Sequence, residues 1–296
     1  MVVGIDIGSY SIKLIELQEK KGKLELLKCA ANLVSGDDIK TCLKDLLSLS
    51  KLSSKRVSVS LSGPSVIVRY IEMPPMKREE LMSAIKFEAE KYIPFDIKDA
   101  IVDCAVLDKS LSGNTNRILL VAAKKERVAS CMEMFKELGM DIFSIDVDTT
   151  AIFNAFQRTG LEAKQENVYA MVNIGAKFSN MNIIGKGQPY FTRDILWGGM
   201  DAGNLEAPVF EKFVSEIRVS FDYFETQFGK NVDRFYISGG GSYLLNIRDS
   251  LKENLGMDVI LWNPFDGIKI SDEANSKEIR DFPAQFAVAV GLALRK

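Results

Sequence analysis

Apolar, β-branched runs alternate along this chain with amphipathic stretches, and part of that order occurs twice. Val2–Ile7 reads as a strand carrying one carboxylate, Asp6; Gly8–Ser11 is a short polar turn; Ile12–Leu17 and residues 24–33 resume strand character. Ile39, Leu43, Leu46, Leu47 and Leu49 then recur at helical spacing within 37–50. Arg56–Leu61 and Val66–Glu72 read as strands broken at Gly63-Pro64, and Met73-Pro74-Pro75 ends that segment because proline removes a ladder donor. A helix is predicted from about Lys77 to Tyr92, stopping at Pro94. Strands follow at Ile101–Leu107, Arg117–Ala123 and Asp141–Val147. Helices are expected at Glu126–Leu138, closed by Gly139, and at Thr149–Gln157.

The second block opens near Asn167. Val168–Ile174, Ser179–Ile184 and Pro189–Arg193 form a three-strand meander, with turns at Gly175–Phe178 and Gly185–Gly187. This repeats the order of residues 2–33. Pro208 opens a helix to Phe228, whose stripe of Phe210, Phe213, Val214, Ile217, Phe221, Phe224 and Phe228 faces a core. Arg234–Ile237 is a strand running into Ser238-Gly239-Gly240-Gly241-Ser242 and then a helix through Leu255. Asp258–Leu261 is a last strand and Phe282–Leu294 an apolar helix.

Composition narrows what this pattern can do. The chain has 296 residues, 47% of them hydrophobic, enough for about two domains with sizeable cores. A net charge of −2 argues against a nucleic-acid surface. The absence of histidine removes Ser–His–Asp chemistry and histidine metal sites. Cys29, Cys42, Cys104 and Cys131 are scattered in apolar patterns and read as small core residues. No apolar run approaches a membrane span, and no basic region precedes the first strand as in a signal peptide, so a cytoplasmic location is expected.

Three glycine-bearing turns remain as candidate chemistry: Gly8-Ser9-Tyr10-Ser11 with Lys13 just beyond, Asn173-Ile174-Gly175-Ala176 leading to Ser179, and Gly239-Gly240-Gly241. A strand–turn–strand of small residues can aim successive N–H groups at one phosphate. A carboxylate at its mouth, Asp6, can reach a hydrated cation. A glycine run lets backbone lie flat against a ligand, and a helix start beyond it favours negative charge. Taken singly, such a hairpin is more often an ordinary β-turn; a capping or turn carboxylate is the lesser reading for Asp6, and Lys13 could equally be solvated on its strand. The set of three on duplicated meanders is more specific.

In this set the chain resembles the actin, heat-shock chaperone and sugar-kinase ATPase superfamily, and within it the PilM family of type IV pilus assembly, kin of the division protein FtsA. The strongest local resemblance is Phe87-Glu88-Ala89-Glu90-Lys91-Tyr92-Ile93-Pro94-Phe95-Asp96. Gly4–Lys13, Asp146-Val147-Asp148, Tyr236–Tyr243, Asn263-Pro264-Phe265 and Ala289-Val290-Gly291-Leu292-Ala293 extend it in order over nearly the whole chain. The resemblance implies an α/β, ribonuclease H-like duplicated, actin-like ATPase fold of two lobes. Subdomain 1A would span 1–76 with 147–160 and 282–296, an inserted subdomain 1C 77–146, and subdomain 2A 161–281. It also implies ATP with Mg²⁺ in the cleft. Asp6, Gly8, Ser9, Tyr10, Ser11 and Lys13 would line the first phosphate loop, with Asp6 holding Mg²⁺ through water. Asn173, Gly175, Ala176 and Ser179 would line the second, and Gly239, Gly240 and Gly241 would hold the adenosine. Asp146 and Asp148 precede a helix, where at least one is expected as an N-cap, with orientation of water or metal as the other reading.

Two departures from that pattern stand out. Asn173 occupies a position where the family carries aspartate, and Lys177-Phe178 replaces small or hydroxyl residues. Asparagine supplies no charge to hold a hydrated cation or orient water. After Trp197-Gly198-Gly199 only the linker 200–207 precedes the long helix, where the family carries subdomain 2B, so that subdomain is expected to be missing and hydrolysis weak. The resemblance further implies a scaffold peripheral to the inner membrane. It would dock the N-terminal tail of PilN in a groove between 1A and 1C involving Met73, Pro74, Ile93, Pro94 and Phe95, without inserting into the membrane itself and with self-association open. Core packing is the other reading for those five residues. An FtsA-like division protein and a small-molecule kinase stand as alternatives. The sequence ending at Leu294-Arg295-Lys296 without an amphipathic helix argues against the first, and the lack of an evident catalytic base against the second.

Overall fold

A computed structural model describes residues 2–34, 38–109, 114–159, 167–201 and 208–295. Its elements are β1 (Val2–Ile7), β2 (Ser11–Lys20), β3 (Lys23–Leu33), α1 (Ile39–Ser50), β4 (Arg56–Leu61), β5 (Val66–Met73), α2 (Arg78–Ala89), β6 (Ala100–Lys109), β7 (Asn116–Lys124) and α3 (Lys125–Glu137). They continue with β8 (Asp141–Val147), α4 (Asp148–Arg158), β9 (Val168–Ile174), β10 (Ser179–Gly185), β11 (Gln188–Ile195), α5 (Pro208–Phe228), β12 (Arg234–Ser238), α6 (Ile247–Leu255), β13 (Val259–Leu261), β14 (Lys269–Ile270), α7 (Lys277–Asp281) and α8 (Ala287–Ala293).

Two compact units result: Met1–Ser60 with Phe135–Lys296, and Leu61–Met134. The first unit contains two sheets of the same plan. One runs β14-β3-β2-β1-β4-β8, the other β11-β10-β9-β12-β13. In each, a three-strand antiparallel meander is extended by a parallel strand, β4 beside β1 and β12 beside β9. The meanders even share a turn. Lys21-Gly22 (φ 52° and 73°) joins β2 to β3, and Lys186-Gly187 (φ 49° and 70°) joins β10 to β11. Positive φ at both central residues matches the twist of the flanking strands, and glycine takes the second position without steric cost.

The two sheets share a core, which is why both fall in one unit. Ile15, Leu17 and Leu26 of the first sheet meet Tyr169, Met171 and Tyr236 of the second through Ile152 and Phe156 of α4 and Val288 and Leu292 of α8. Phe156 sets its edge against Tyr169, Tyr236 and Trp262. α8 packs so tightly that glycine is needed where it touches its neighbours. A Cβ on Gly4 of β1 would lie 2.6 Å from the Ala293 nitrogen, and one on Gly291 would penetrate the Ala151 carbonyl of α4. The other face of the second sheet is covered by the predicted phenylalanine stripe of α5, with Phe210, Phe213, Val214, Ile217 and Phe224 buried.

The second unit is a three-stranded sheet, β5-β7-β6. Its α2 packs Leu81, Ile85 and Ala89 against Ile71, Ile118 and Leu120. Its limits differ from the 77–146 expected for an inserted subdomain. β5 pairs along its length with β7, from Val66↔Ala123 to Met73↔Asn116, whereas β8 joins the first sheet beside β4. Gly63 (φ 84°) makes the departure from β4, and Met73-Pro74-Pro75 marks the end of β5 inside the unit rather than the unit's edge. The glycine run also differs from expectation. Gly240–Tyr243 is a short 3₁₀ turn, and α6 begins only at Ile247, after Asn246 in the left-handed region (φ 62°). The C-terminal helix starts as another 3₁₀ turn at Pro283–Phe286. Residues 202–207, the heart of the expected linker, lie outside the described residues. No described helix is long and apolar enough to cross a membrane.

All four cysteines are free thiols, with Cys42 and Cys131 buried and Cys29 and Cys104 half-buried. Burial pushes the Cys29, Cys104 and Cys131 thiols above their ordinary range. A raised pKa means less thiolate at pH 8, so Cys29 is expected to alkylate with iodoacetamide at least about tenfold more slowly than free cysteine, and Cys131 also more slowly. Peptide mass spectrometry of a time course checks this; alkylation at the free-thiol rate would contradict the packing.

Candidate functional site

The two glycine hairpins correspond residue by residue. Asp6 pairs with Lys13 across β1 and β2, and Asn173 with Asn180 across β9 and β10. Both turns close with the same bond. Gly8 N–H donates to the Ser11 carbonyl and Gly175 N–H to the Phe178 carbonyl, each at 3.1 Å. A Cβ on Gly8 would come within 2.9 Å of the Ser11 oxygen, and on Gly175 within 2.6 Å of the Phe178 oxygen. Glycine is therefore set by the turn itself in both halves.

Charge separates the two walls. In the first, Lys13 Nζ donates to Asp6 Oδ2 at 3.1 Å, with the side chains 12% and 11% exposed. One of three ammonium donors is engaged, so others can meet an anion. Ser9 and Tyr10 stand exposed at the tip, while Ser11 is buried. In the second wall no charged pair replaces this one. Asn173 Oδ1 accepts from Ser238 Oγ at 3.2 Å. Ser179 is fully buried and donates to the Trp197 carbonyl at 2.8 Å, so its hydroxyl is turned into the fold rather than toward a phosphate.

The mostly buried Asp6–Lys13 pair gives Asp6 a part in folding as well as a place at the candidate site. Asp6→Ala leaves an ammonium without its counter-charge and is expected to cost about 1–3 kcal/mol. Asp6→Ala/Lys13→Met should recover most of that loss in urea denaturation. Strict additivity of the two single losses would show that the pair is uncoupled.

The glycine turn lies directly on the second hairpin. Gly239 (φ 84°) would place a Cβ 2.8 Å from Asn173 Oδ1, and a Cβ on Gly241 would penetrate Ile174. These two are packing glycines. Gly240 is exposed with nothing within 4 Å of its Cβ position, so it alone leaves the turn open to a flat ligand. Gly239 N–H donates to the Ala284 carbonyl (2.9 Å), and Ala284 N–H donates to the Tyr243 hydroxyl (2.9 Å), anchoring the turn to the approach to α8. Burial raises the Tyr243 pKa above its ordinary value, keeping that acceptor a neutral phenol.

A third strip completes this platform and was not singled out from sequence as part of the site. Gly199 and Met200 N–H groups donate to the Gly175 and Ala176 carbonyls at 2.8 and 2.9 Å, and Gly199 would place a Cβ 3.3 Å from Gly241 Cα. Trp197, stacked on Phe213 at 4.1 Å, fixes where the strip begins. Adjacent glycines after a buried tryptophan were the available signal.

Other expected residues fall elsewhere. Asp146 is buried at the end of β8 and accepts from Val147 N–H (2.8 Å), the Thr150 hydroxyl and the Arg295 guanidinium. It thus ties down the start of α4 from one position before Val147, which holds the cap position. Met73 is buried in the second unit with Ile71, Leu81 and Leu120. Ile93 is buried with Ala100 and Ala122, Phe95 packs beside it, and Pro74 and Pro94 are exposed. The five residues expected at a partner groove therefore divide between core and surface within that unit. Among the described residues no three Asp, Glu or Cys side chains converge as a metal group.

Comparison with known protein families matches a model described as type IV pilus assembly protein PilM over residues 4–206 and 202–296. Among solved structures, a PilM-PilN type IV pilus biogenesis complex matches with TM-score 0.89 and 25% identity, covering 99% of this chain and 98% of that one. A Bacteroides thetaiotaomicron protein with an actin-like ATPase fold matches with TM-score 0.56 at 13% identity, covering 89% and 91%. The cytoplasmic domain of EpsL, an inner membrane component of the Vibrio cholerae type II secretion system, matches with TM-score 0.55 at 14% identity, covering 100% and 96%. The last two likenesses are of fold, and they agree with the duplicated sheets described above. With a family match spanning both halves, the chain belongs to the type IV pilus assembly protein PilM family.

Proposed function

We propose that this protein is a cytoplasmic, nucleotide-binding scaffold of type IV pilus assembly that docks the N-terminal tail of PilN and sits at the inner membrane through such partners. The observation that carries the docking reading is the near-full-length match to a PilM-PilN complex. That match also favours a pilus scaffold over a division protein or a small-molecule kinase. The tail would be taken up near the second unit, with Pro74, Pro94 and Phe95 as its accessible contacts and Met73 and Ile93 supporting them from within. A short extended tail is held by main-chain bonds and side-chain pockets. Fluorescence anisotropy with a labelled synthetic peptide of the PilN N-terminus tests this. Saturable binding abolished by scrambling the peptide is expected; equal binding of the scrambled peptide would refute it.

The nucleotide reading rests on the first hairpin and the open face at Gly240. Lys13 would meet phosphate, Asp6 would hold Mg²⁺ through water, and the glycine turn would receive the adenosine. The bound ion would neutralise phosphate charge. The second hairpin, neutral at Asn173 and with Ser179 turned inward, would contribute only the Ala176 N–H, with Gly175 allowing close approach while its own N–H and carbonyl stay engaged within the fold. The family match splits at 202–206, which supports a junction where subdomain 2B would otherwise stand. Weak Mg–ATP binding nearly uncoupled from hydrolysis is the expected outcome by calorimetry and phosphate release, and tight binding with brisk turnover would overturn it.

A further inference from the structure

Asn180 faces Asn173 on β9 and Asp194 on β11 in one row across the second sheet. Its counterpart in the first half, Lys13, turns to the carboxylate of its own hairpin. Asn180 turns instead toward α4 and β11. Its Nδ2 donates to Thr149 Oγ1 of α4 at 3.0 Å and to Asp194 Oδ1 at 2.7 Å, and its Oδ1 accepts from Asn182 Nδ2 at 2.7 Å. The Thr192 hydroxyl donates to the same Thr149 oxygen at 3.3 Å. Thr149, Asn180 and Asn182 are 3%, 6% and 1% exposed, so water does not compete for these bonds. A buried amide with both donors and its acceptor engaged resists displacement, because any movement leaves a polar group unpaired.

The same turn of α4 is held from its other side. Asp146 at the end of β8 accepts from Val147 N–H and the Thr150 hydroxyl, and Arg295 Nε donates to its second oxygen at 2.5 Å. Residues 146–150 thus join β8 of the first sheet to β10 of the second.

We infer that Thr149 and Asn180 form a polar clasp between the two sheets, so that loosening the second hairpin and loosening the start of α4 are one event. Asn180 is a positioning residue in this arrangement: it holds the hairpin, not a ligand. The clasp belongs to the ligand-free chain and does not depend on the nucleotide reading.

Native-state amide hydrogen exchange of the full chain without ligand tests it. Thr149→Val removes the shared hydroxyl and keeps the side-chain shape. Amides of residues 175–182 and of 147–152 are expected to exchange about tenfold faster, together, as for loss of a buried hydrogen bond. Residues 8–13 of the first hairpin and 61–134 of the second unit should keep their rates. Asp194→Ala, at an exposed strand position, should give the same paired pattern at a few-fold, and it decides the matter if Thr149→Val does not fold. A uniform rise across the chain, a rise in only one of the two segments, or no rise would each overturn the clasp.

Discussion

Gly291→Val is expected to leave the protein largely unfolded at 37 °C, and even Gly291→Ala should cost about 3 kcal/mol, the upper range for overpacking a core. At roughly 2–4 °C per kcal/mol for a domain of this size, that is a fall in Tm of about 6–12 °C. The cause is the crossing of α8 over α4, where any Cβ on residue 291 overlaps the Ala151 backbone. Backbone cannot rotate aside as a side chain can, so the helices must separate. Separation loosens the core shared by Phe156, Val288 and Leu292. Gly240→Ala is the matching control, since nothing lies within 4 Å of its Cβ position, and its stability should be near that of the parent. Urea denaturation of the three variants beside the parent checks this. Equal stability of Gly291→Ala and Gly240→Ala would show that the helix crossing is not tight.

On the proposed nucleotide reading, Asn173→Asp is expected to raise Mg–ATP turnover by about 100-fold, the lower range for a positioned carboxylate acting on a reacting group. The substitution keeps size and keeps an oxygen for the Ser238 hydroxyl, which now donates to Asn173 Oδ1 at 3.2 Å. It would restore to the second wall a negative charge equivalent in register to Asp6 in the first. Phosphate release at saturating Mg–ATP is the readout, with Asn173→Ala expected to show no gain. An unchanged rate for Asn173→Asp would remove the missing carboxylate as the limiting defect.

Where sequence and structure agree, the physics is local. β-branched runs gave β1, β8 and β9 their limits, and the phenylalanine stripe after Pro208 gave α5 both ends. The correspondence of the two hairpins was visible because turn chemistry restricts residues 8 and 175 to glycine. What was not legible depends on partners distant in the chain. β5 carries no sign that its ladder partner is β7 rather than a strand of the first sheet. Ser179 looks like any hydroxyl at a phosphate turn until the Trp197 carbonyl comes to meet it. Met73 and Ile93 flank prolines that mark surface turns, yet their side chains point into the second unit's core. The glycine run resembles a helix start, but Asn246 in the left-handed region delays α6 to Ile247.

The placement of β14 and α8 bears on how the chain can acquire its fold during synthesis. β14 lies beside β3, and α8 packs on β1, although both come from Lys269–Ala293. The first sheet therefore lacks an edge strand and its covering helix until almost everything else has left the ribosome. Residues 61–134 are continuous and need no later segment to complete their sheet. Domains generally fold as units in order of emergence, and long-range closure is slow. The unit that interrupts the first sheet in sequence should thus be the earliest to protect its amides on a stalled nascent chain, with β1 and β2 among the last.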